Sequence, residues 1–321
     1  ISIGAVLKDF FQRALHLQQK KVETSLIERF AYPKYGPGEF YECLRDEVLR
    51  RGGEIRMNAD TIGFTGGNDK KISAVLYRDD QGKIQRVEAD YVLSSMAVKD
   101  LAATLPEGWL DEKDKETAAT LPYRDFMTAG LLVDRLELQN HTRHRTLNNI
   151  VPDCWIYIQE PEVRIGRLQI FNNWSPYMVK DPLHTVWIGL EYFCQEGDSF
   201  WSMKDEDFLH FAEQELIKIH VIRKGAVKEG HLVHMKKAYP AYYGSYKDFP
   251  RLQKSLDTIS NLYCIGRNGQ HRYNNMDHSM LTAIRAVDLI RNHSTDKTSL
   301  WNVNTESDYQ EIKEEEPTSE K

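Results

Sequence analysis

The stretch from Asn261 to Arg291 holds the residue types and spacing with the most chemical content. Leu262, Tyr263, Cys264 and Ile265 read as a strand ending at Gly266. A polar loop follows, Arg267-Asn268-Gly269-Gln270-His271-Arg272-Tyr273-Asn274-Asn275-Met276-Asp277, and then a helix with Leu281, Ile284, Val287 and Leu289 as its apolar positions. Strand, glycine-bearing loop and helix make an anion-binding geometry, because a helix N-terminus presents unpaired N–H groups and the positive end of the macrodipole. Gly266 and Gly269 would let a ligand approach the backbone closely. A tight strand-to-helix turn with polar capping residues gives the same pattern, so both readings stay open at this level. Ser94-Ser95 as a nucleophile has no supporting base at a telling distance, and His231-x-x-His234 has no third metal ligand. Both read as structural, and no metal is expected.

The elements that must position this loop are spread along the chain. Residues 5–31 read as a helix with Val6, Phe10, Ala14 and Leu17 at helical spacing. Tyr32-Pro33-Lys34-Tyr35-Gly36-Pro37-Gly38 breaks it. A second helix, with Phe40, Leu44 and Val48 on one face, ends at Gly52-Gly53, where a left-handed residue closes a helix. Glu54 to Met57 then reads as a strand, Ile72 to Arg78 and Lys83 to Ala89 as a hairpin turned at Asp79-Asp80-Gln81-Gly82, and Tyr91 to Leu93 as a further strand. Phe126 to Val133, Cys154 to Ile158, Arg167 to Phe171 and Thr185 to Phe193 are strand-like and joined by polar turns, which implies a mainly antiparallel sheet. Asp205 to Ile219 is an amphipathic helix with Phe208, Phe211, Ala212 and Leu216 on one side.

Composition narrows the function classes. With 321 residues, 41 % hydrophobic and 28 % charged, the chain is an ordinary globular sequence with room for two domains. Residues 305–321 hold seven acids against two lysines and so carry −5 of the formal −6, which leaves a nearly neutral body and argues against a nucleic-acid binder. That tail reads as solvated. No stretch reaches the roughly 18 apolar residues of a membrane span, and Ile1 to Arg13 do not form a secretory leader. The cysteines at 43, 154, 194 and 264 are isolated, without CxxC spacing, and fit a reducing cytoplasm.

Gly266-Arg267-x-Gly269-x-x-Arg272-Tyr273-x-x-Met276 resembles the C-terminal flavin motif of UDP-galactopyranose mutases, in which a GRxG-like start is followed by YRYxDM before the last helix. The run from Tyr32 to Gly38, the helix after it, Gly52-Gly53, the hairpin and Ala89-Asp90-Tyr91-Val92-Leu93 likewise resemble the middle of the wider flavin amine-oxidase and phytoene-desaturase superfamily. The resemblance covers roughly residues 30–100 and 230–292. It implies an α/β (mixed α+β) chain, part of an FAD-binding Rossmann-like domain plus an antiparallel-sheet substrate domain. The implied organisation is a helical lead-in over 1–31, an FAD-domain portion over 32–100, a substrate domain over 101–250, a returning strand-loop-helix over 251–295 and an acidic disordered tail over 296–321.

The resemblance also implies roles. Arg267 and Tyr273 match positions that bind the substrate diphosphate, and Tyr239 before Pro240 matches an aromatic that contacts it. Tyr239 could equally pack within an aromatic loop with Tyr242, Tyr243 and Tyr246. Gly266, Arg267, Asn275, Met276 and Asp277 match the stretch beside FAD, with the Met276 backbone facing the flavin pyrimidine oxygen. Guanidinium and phenol groups suit a diphosphate, since the first forks to oxygen and the second donates without added charge. His271 departs from the first tyrosine of the mutase motif and Asn275 from its aspartate.

None of the 19 glycines forms a GxGxxG after a strand, so the chain is expected to be the C-terminal two-thirds of a longer flavoprotein or a relative that has lost FAD. The absence of an initiator Met favours the first. The implied activity is that of an FAD-dependent enzyme acting on a nucleotide sugar in polysaccharide precursor synthesis. The alternatives are an amine-oxidase or desaturase-type hydride transfer to flavin N5, or a non-catalytic binding module. The expected partner is a small molecule.

Overall fold

Pro37 opens the first helix among the described residues and a glycine pair closes it. α1 (Pro37–Arg50) follows Gly36, whose φ of 88° lies in the left-handed region. At its end the Gly53 amide donates to the Val48 carbonyl at 2.9 Å, with Gly52 at φ 83°. A computed structural model describes residues 31–305, and Pro33–Asn304 form one compact unit. The helix expected over 5–31 falls, but for its last residue, outside the described residues, as does the tail from Glu306. The described start of the tail expected to be disordered, 296–305, is folded instead, because Leu300, Trp301 and Val303 are apolar and buried and Thr298–Trp301 is helical.

The strand expected over Glu54–Met57 does not form. That segment is irregular and exposed, with Met57 78 % exposed and Asn58 in a left-handed conformation. The strand begins instead where a pairing partner exists. β1 (Asp60–Gly66) lies antiparallel to β2 (Ile72–Arg78), which pairs in turn with β3 (Ile84–Glu88). The turn between β2 and β3 falls at the expected residues, where the Asp79 carboxylate accepts from the Lys83 amide at 2.8 Å and the Gln81 amide at 3.1 Å. β4 (Val92–Ser94), α2 (Val98–Thr104) and α3 (Glu112–Ala119) come next.

The antiparallel sheet expected further on has five strands: β5 (Tyr123–Val133), β6 (Trp155–Tyr157), β7 (Arg167–Ile170), β8 (Val186–Cys194) and β9 (Val227–Pro240). Their spatial order is β6-β7-β8-β5-β9. A short helix, α4 (Phe171–Trp174), follows β7, and α5 (Asp205–Lys218) precedes β9. Strand alternation sorts the two faces. Met127, Ala129 and Leu131 of β5 and Ile188, Leu190 and Tyr192 of β8 are wholly buried, in one core with Phe208, Ala212 and Leu216 of α5. The alternate positions Arg124, Phe126, Arg167, Glu191 and Phe193 define the other face.

The chain then returns through α6 (Phe249–Asp257), β10 (Leu262–Cys264), α7 (Gly266–Gly269), α8 (Met276–Arg291) and α9 (Thr298–Trp301). β10 pairs in parallel with β4. A second core joins Ile72 and Leu101 to Leu252, Leu256, Leu262 and Trp301. Two polar side chains stitch it. The Asn261 amide accepts from the Ile72 amide at 2.9 Å and donates to the Ile72 and Asp90 carbonyls at 2.8 Å each. The Lys297 ammonium donates to the Ile259 and Leu262 carbonyls at 2.7 and 2.8 Å, and burial lowers its pKa. Among the described residues no helix is long and apolar enough to cross a membrane.

Candidate ligand site

The polar face of the five-stranded sheet and the loop after β10 meet around a cavity of about 350 Å³. Arg124 of β5, Arg167 of β7, Phe193 of β8, Tyr239 of β9 and Tyr273 line it, with residues 240–243 along one side. Tyr239 and Tyr273 lie 34 positions apart in the sequence and stack with ring centroids 5.5 Å apart at 15°. Their neighbour is Arg267, whose guanidinium carbon is 4.6 Å from the Tyr273 ring and 5.5 Å from the Tyr239 ring. The three residues that the sequence marked for a diphosphate therefore come together. Tyr239 does not join the aromatic loop: its ring neighbours are Tyr273, Phe126 and Phe193, whereas Tyr242 pairs with Tyr246.

Arg267 is held from behind. Its Nε donates to the Asn274 carbonyl at 2.8 Å and one terminal nitrogen to the Ala238 carbonyl at 3.2 Å. Those contacts orient the fork against the two tyrosines and leave the second terminal nitrogen without a hydrogen bond among the described residues.

A second arginine sits on the sheet. Arg167 Nη2 donates to the Tyr239 hydroxyl at 2.7 Å and forms an ion pair with Glu191, while Gln169 donates to the other Glu191 oxygen at 2.6 Å. The Arg167 and Glu191 side chains are 10 % and 5 % exposed, so the pair is buried and each charge depends on the other. Burial works against the Arg167 cation, yet Glu191 and Tyr239 hold its pKa above the ordinary value. Burial pushes the Tyr239 phenol up, offset in part by Arg167, so the hydroxyl stays a protonated donor. The guanidinium also lies 4.8 Å from the Trp155 ring, and Arg124 lies 5.5 Å from Phe193. A cavity with cationic forks, phenol donors and flat rings can bind an anion joined to a planar group.

The loop that opened the sequence reading divides its duties. Gly266 has φ 75°, its amide donates to Thr282 Oγ1 at 2.8 Å and its carbonyl accepts from Asn274 at 3.2 Å. At Gly269 the close approach is to protein and not to a ligand, since an added Cβ would stand 2.5 Å from the Ser94 carbonyl oxygen. Asn275 caps α8 in a reciprocal pair with His278. Met276, 45 % exposed, and Asp277, also exposed, leave the start of this 16-residue helix open. Gly266 and Asn275 make internal hydrogen bonds, while the backbone at the helix start stays exposed. His271 is fully buried, its Nε2 donating to the Ala241 carbonyl at 3.1 Å, and burial lowers its pKa.

Sequence reasoning missed Arg124, Arg167 and Glu191. The available signal was a lone acid inside the otherwise apolar strand run Val186 to Cys194 and an arginine heading the strand Arg167 to Ile170. Ser94 is buried in β4, and His234 bonds the Trp201 carbonyl at 3.3 Å. Among the described residues no three His, Cys, Asp or Glu side chains are grouped to hold a metal.

No protein-family profile matches this sequence. No curated protein matches it in sequence either. Solved structures match it in fold. The crystal structure of reduced UDP-galactopyranose mutase superposes with a TM-score of 0.68 at 17 % identity, over 85 % of this chain and 56 % of that one. A protein from Exiguobacterium sp. 255-15 assigned as a protoporphyrinogen oxidase superposes with a TM-score of 0.51 at 18 % identity, over 73 % of this chain and 46 % of that one. The chain thus has the fold of part of these enzymes and spans about half their length.

Proposed function

We propose that the chain is part of an FAD-dependent enzyme that acts on a nucleotide sugar, with the cavity lined by Tyr239 and Tyr273 as the seat of the diphosphate. The observation that carries this reading is the convergence of Tyr239 and Tyr273 with Arg124 and Arg167 around one cavity, with Arg267 against the two tyrosine rings, on a mutase-like fold. Arg267 and Arg124 bring positive charge to the phosphates. The Tyr239 and Tyr273 hydroxyls donate without adding more, and Arg167, balanced by Glu191, aims the Tyr239 phenol. Met276 and Asp277 at the α8 start would lie along FAD. When bound, that cofactor supplies the reactive atom, while the residues named here orient the substrate and keep water out. Polysaccharide precursor synthesis in the cytoplasm is the setting we assign. The four cysteines, present as free thiols, accord with it.

The test is displacement of a fluorescent UDP probe by UDP, on this chain and on the full-length protein. Competition at micromolar to millimolar UDP is expected, weakened about tenfold or more by R267Q, since a charge-assisted bond of this kind is worth roughly 1.5–3 kcal/mol. No competition at millimolar UDP would remove the nucleotide sugar and leave a hydride-transferring flavin oxidase or desaturase, or a binding module. An absorbance spectrum of the full-length protein decides whether flavin is present.

A further inference from the structure

Between Arg124 and Phe126 the β5–β9 ladder is broken, and the break decides which side chain faces the cavity. Phe126 pairs with Met235, and an unbroken ladder would next set Lys237 opposite Arg124. Two extra residues in β9 set Tyr239 there instead. The extra chain is taken up at Lys237, whose φ of 53° is left-handed, an uncommon conformation for a lysine.

Asp125 holds this bulge. Its carboxylate is buried, at 6 % exposure, between the two strands that flank β5. Oδ1 accepts from the Lys237 amide at 2.5 Å and Oδ2 from the Glu196 amide, just past β8, at 2.7 Å. The Lys237 ammonium is turned away to Asp100, with Nζ 2.6 and 2.5 Å from its two oxygens, and the next carbonyl, Ala238, takes the hydrogen bond from Arg267. One carboxylate therefore fixes the backbone that presents Tyr239, removes a lysine from the place opposite Arg124 and supplies the acceptor that orients Arg267.

We infer that Asp125 is a positioning residue for anion binding in the cavity, acting through the bulge at 236–238 and touching no ligand itself. The inference rests on the reading of the cavity as a diphosphate site. Binding of UDP and of inorganic pyrophosphate, followed by calorimetry on the whole chain, tests it in D125N, Y239A and the double variant. Asparagine keeps one acceptor but puts a donor where the second amide points. D125N is expected to weaken both probes about tenfold, and the double variant to lie within about twofold of Y239A, because residues acting through one another are non-additive. Multiplied losses, the mark of general destabilisation, would overturn the inference, as would D125N binding within about twofold of the wild-type chain.

Should D125N not fold, the left-handed residue carries the test. K237G keeps the bulge without strain and is expected to bind within about twofold of wild type, whereas K237V, β-branched at positive φ, is expected to lose about tenfold. Equal binding by these two variants would overturn it. A wild-type chain that binds neither probe removes the diphosphate site and this inference together. A wild-type chain that binds pyrophosphate as well as UDP, with D125N impaired for both, removes only the nucleotide.

Discussion

The five-stranded sheet and the parallel pair β4–β10 solve the problem of burial in opposite ways. The first has one face closed by α5 and gives its second face to charged and aromatic side chains. The second has only two strands, although parallel sheets are normally covered on both faces; Lys297 donates to the Leu262 carbonyl of β10, and Asn261 ties the approach to both strands to Ile72 and Asp90. The helix α1 carries Phe40, Leu44 and Val48 at 42 %, 44 % and 43 % exposure, and no α1 residue is buried. The difference teaches how the two are held: the larger sheet closes one face over its own apolar core and leaves the other to charged and aromatic side chains, while the parallel pair shares an apolar core with β2 and the helices around it and adds single polar contacts.

Breaking the Arg167–Glu191 pair is the harshest test of that contrast. E191A leaves a buried guanidinium uncompensated and is expected to cost about 3–5 kcal/mol in urea unfolding, with loss of UDP binding. L190A, in the closed face, is expected to cost about 2–5 kcal/mol without touching the cavity. N261A strands buried backbone groups of Ile72 and is expected to cost about 1–3 kcal/mol.

His271 gives a pH signature. Its folded pKa lies below the ordinary value, so the unfolded chain takes up a proton first as pH falls. The stabilisation is complete above the unfolded pKa of about 6.5 and is lost as pH falls toward the lowered folded value, and H271F should flatten that stretch of the stability curve. The smallest effect belongs to α1. L44S is expected to change the unfolding free energy of this chain by less than about 0.5 kcal/mol; a large loss would show that its face is covered in solution.

Most strands of the sheet were legible because their apolar positions alternate between two environments, and the hairpin because Asp79 and Gly82 suit a turn. Glu54–Met57 misled because β-propensity describes a residue that has a neighbouring strand, and none pairs with it. At the site, Arg267, Tyr239 and Tyr273 were legible through their motif. Asp125, Arg167 and Glu191 were not, since a buried charge on a strand is intelligible only once its counter-charge or its amides are in place. Gly269 was legible as a close approach but not as an approach to Ser94.

That last contact couples two distant stretches of sequence. The obstacle facing any side chain at position 269 is the Ser94 carbonyl, main chain that no rotamer change can clear. Position 269 and the path of β4 can therefore drift only in concert. A redesign that reshapes the loop to accept a different ligand must either keep glycine at 269 or rebuild the strand beneath it.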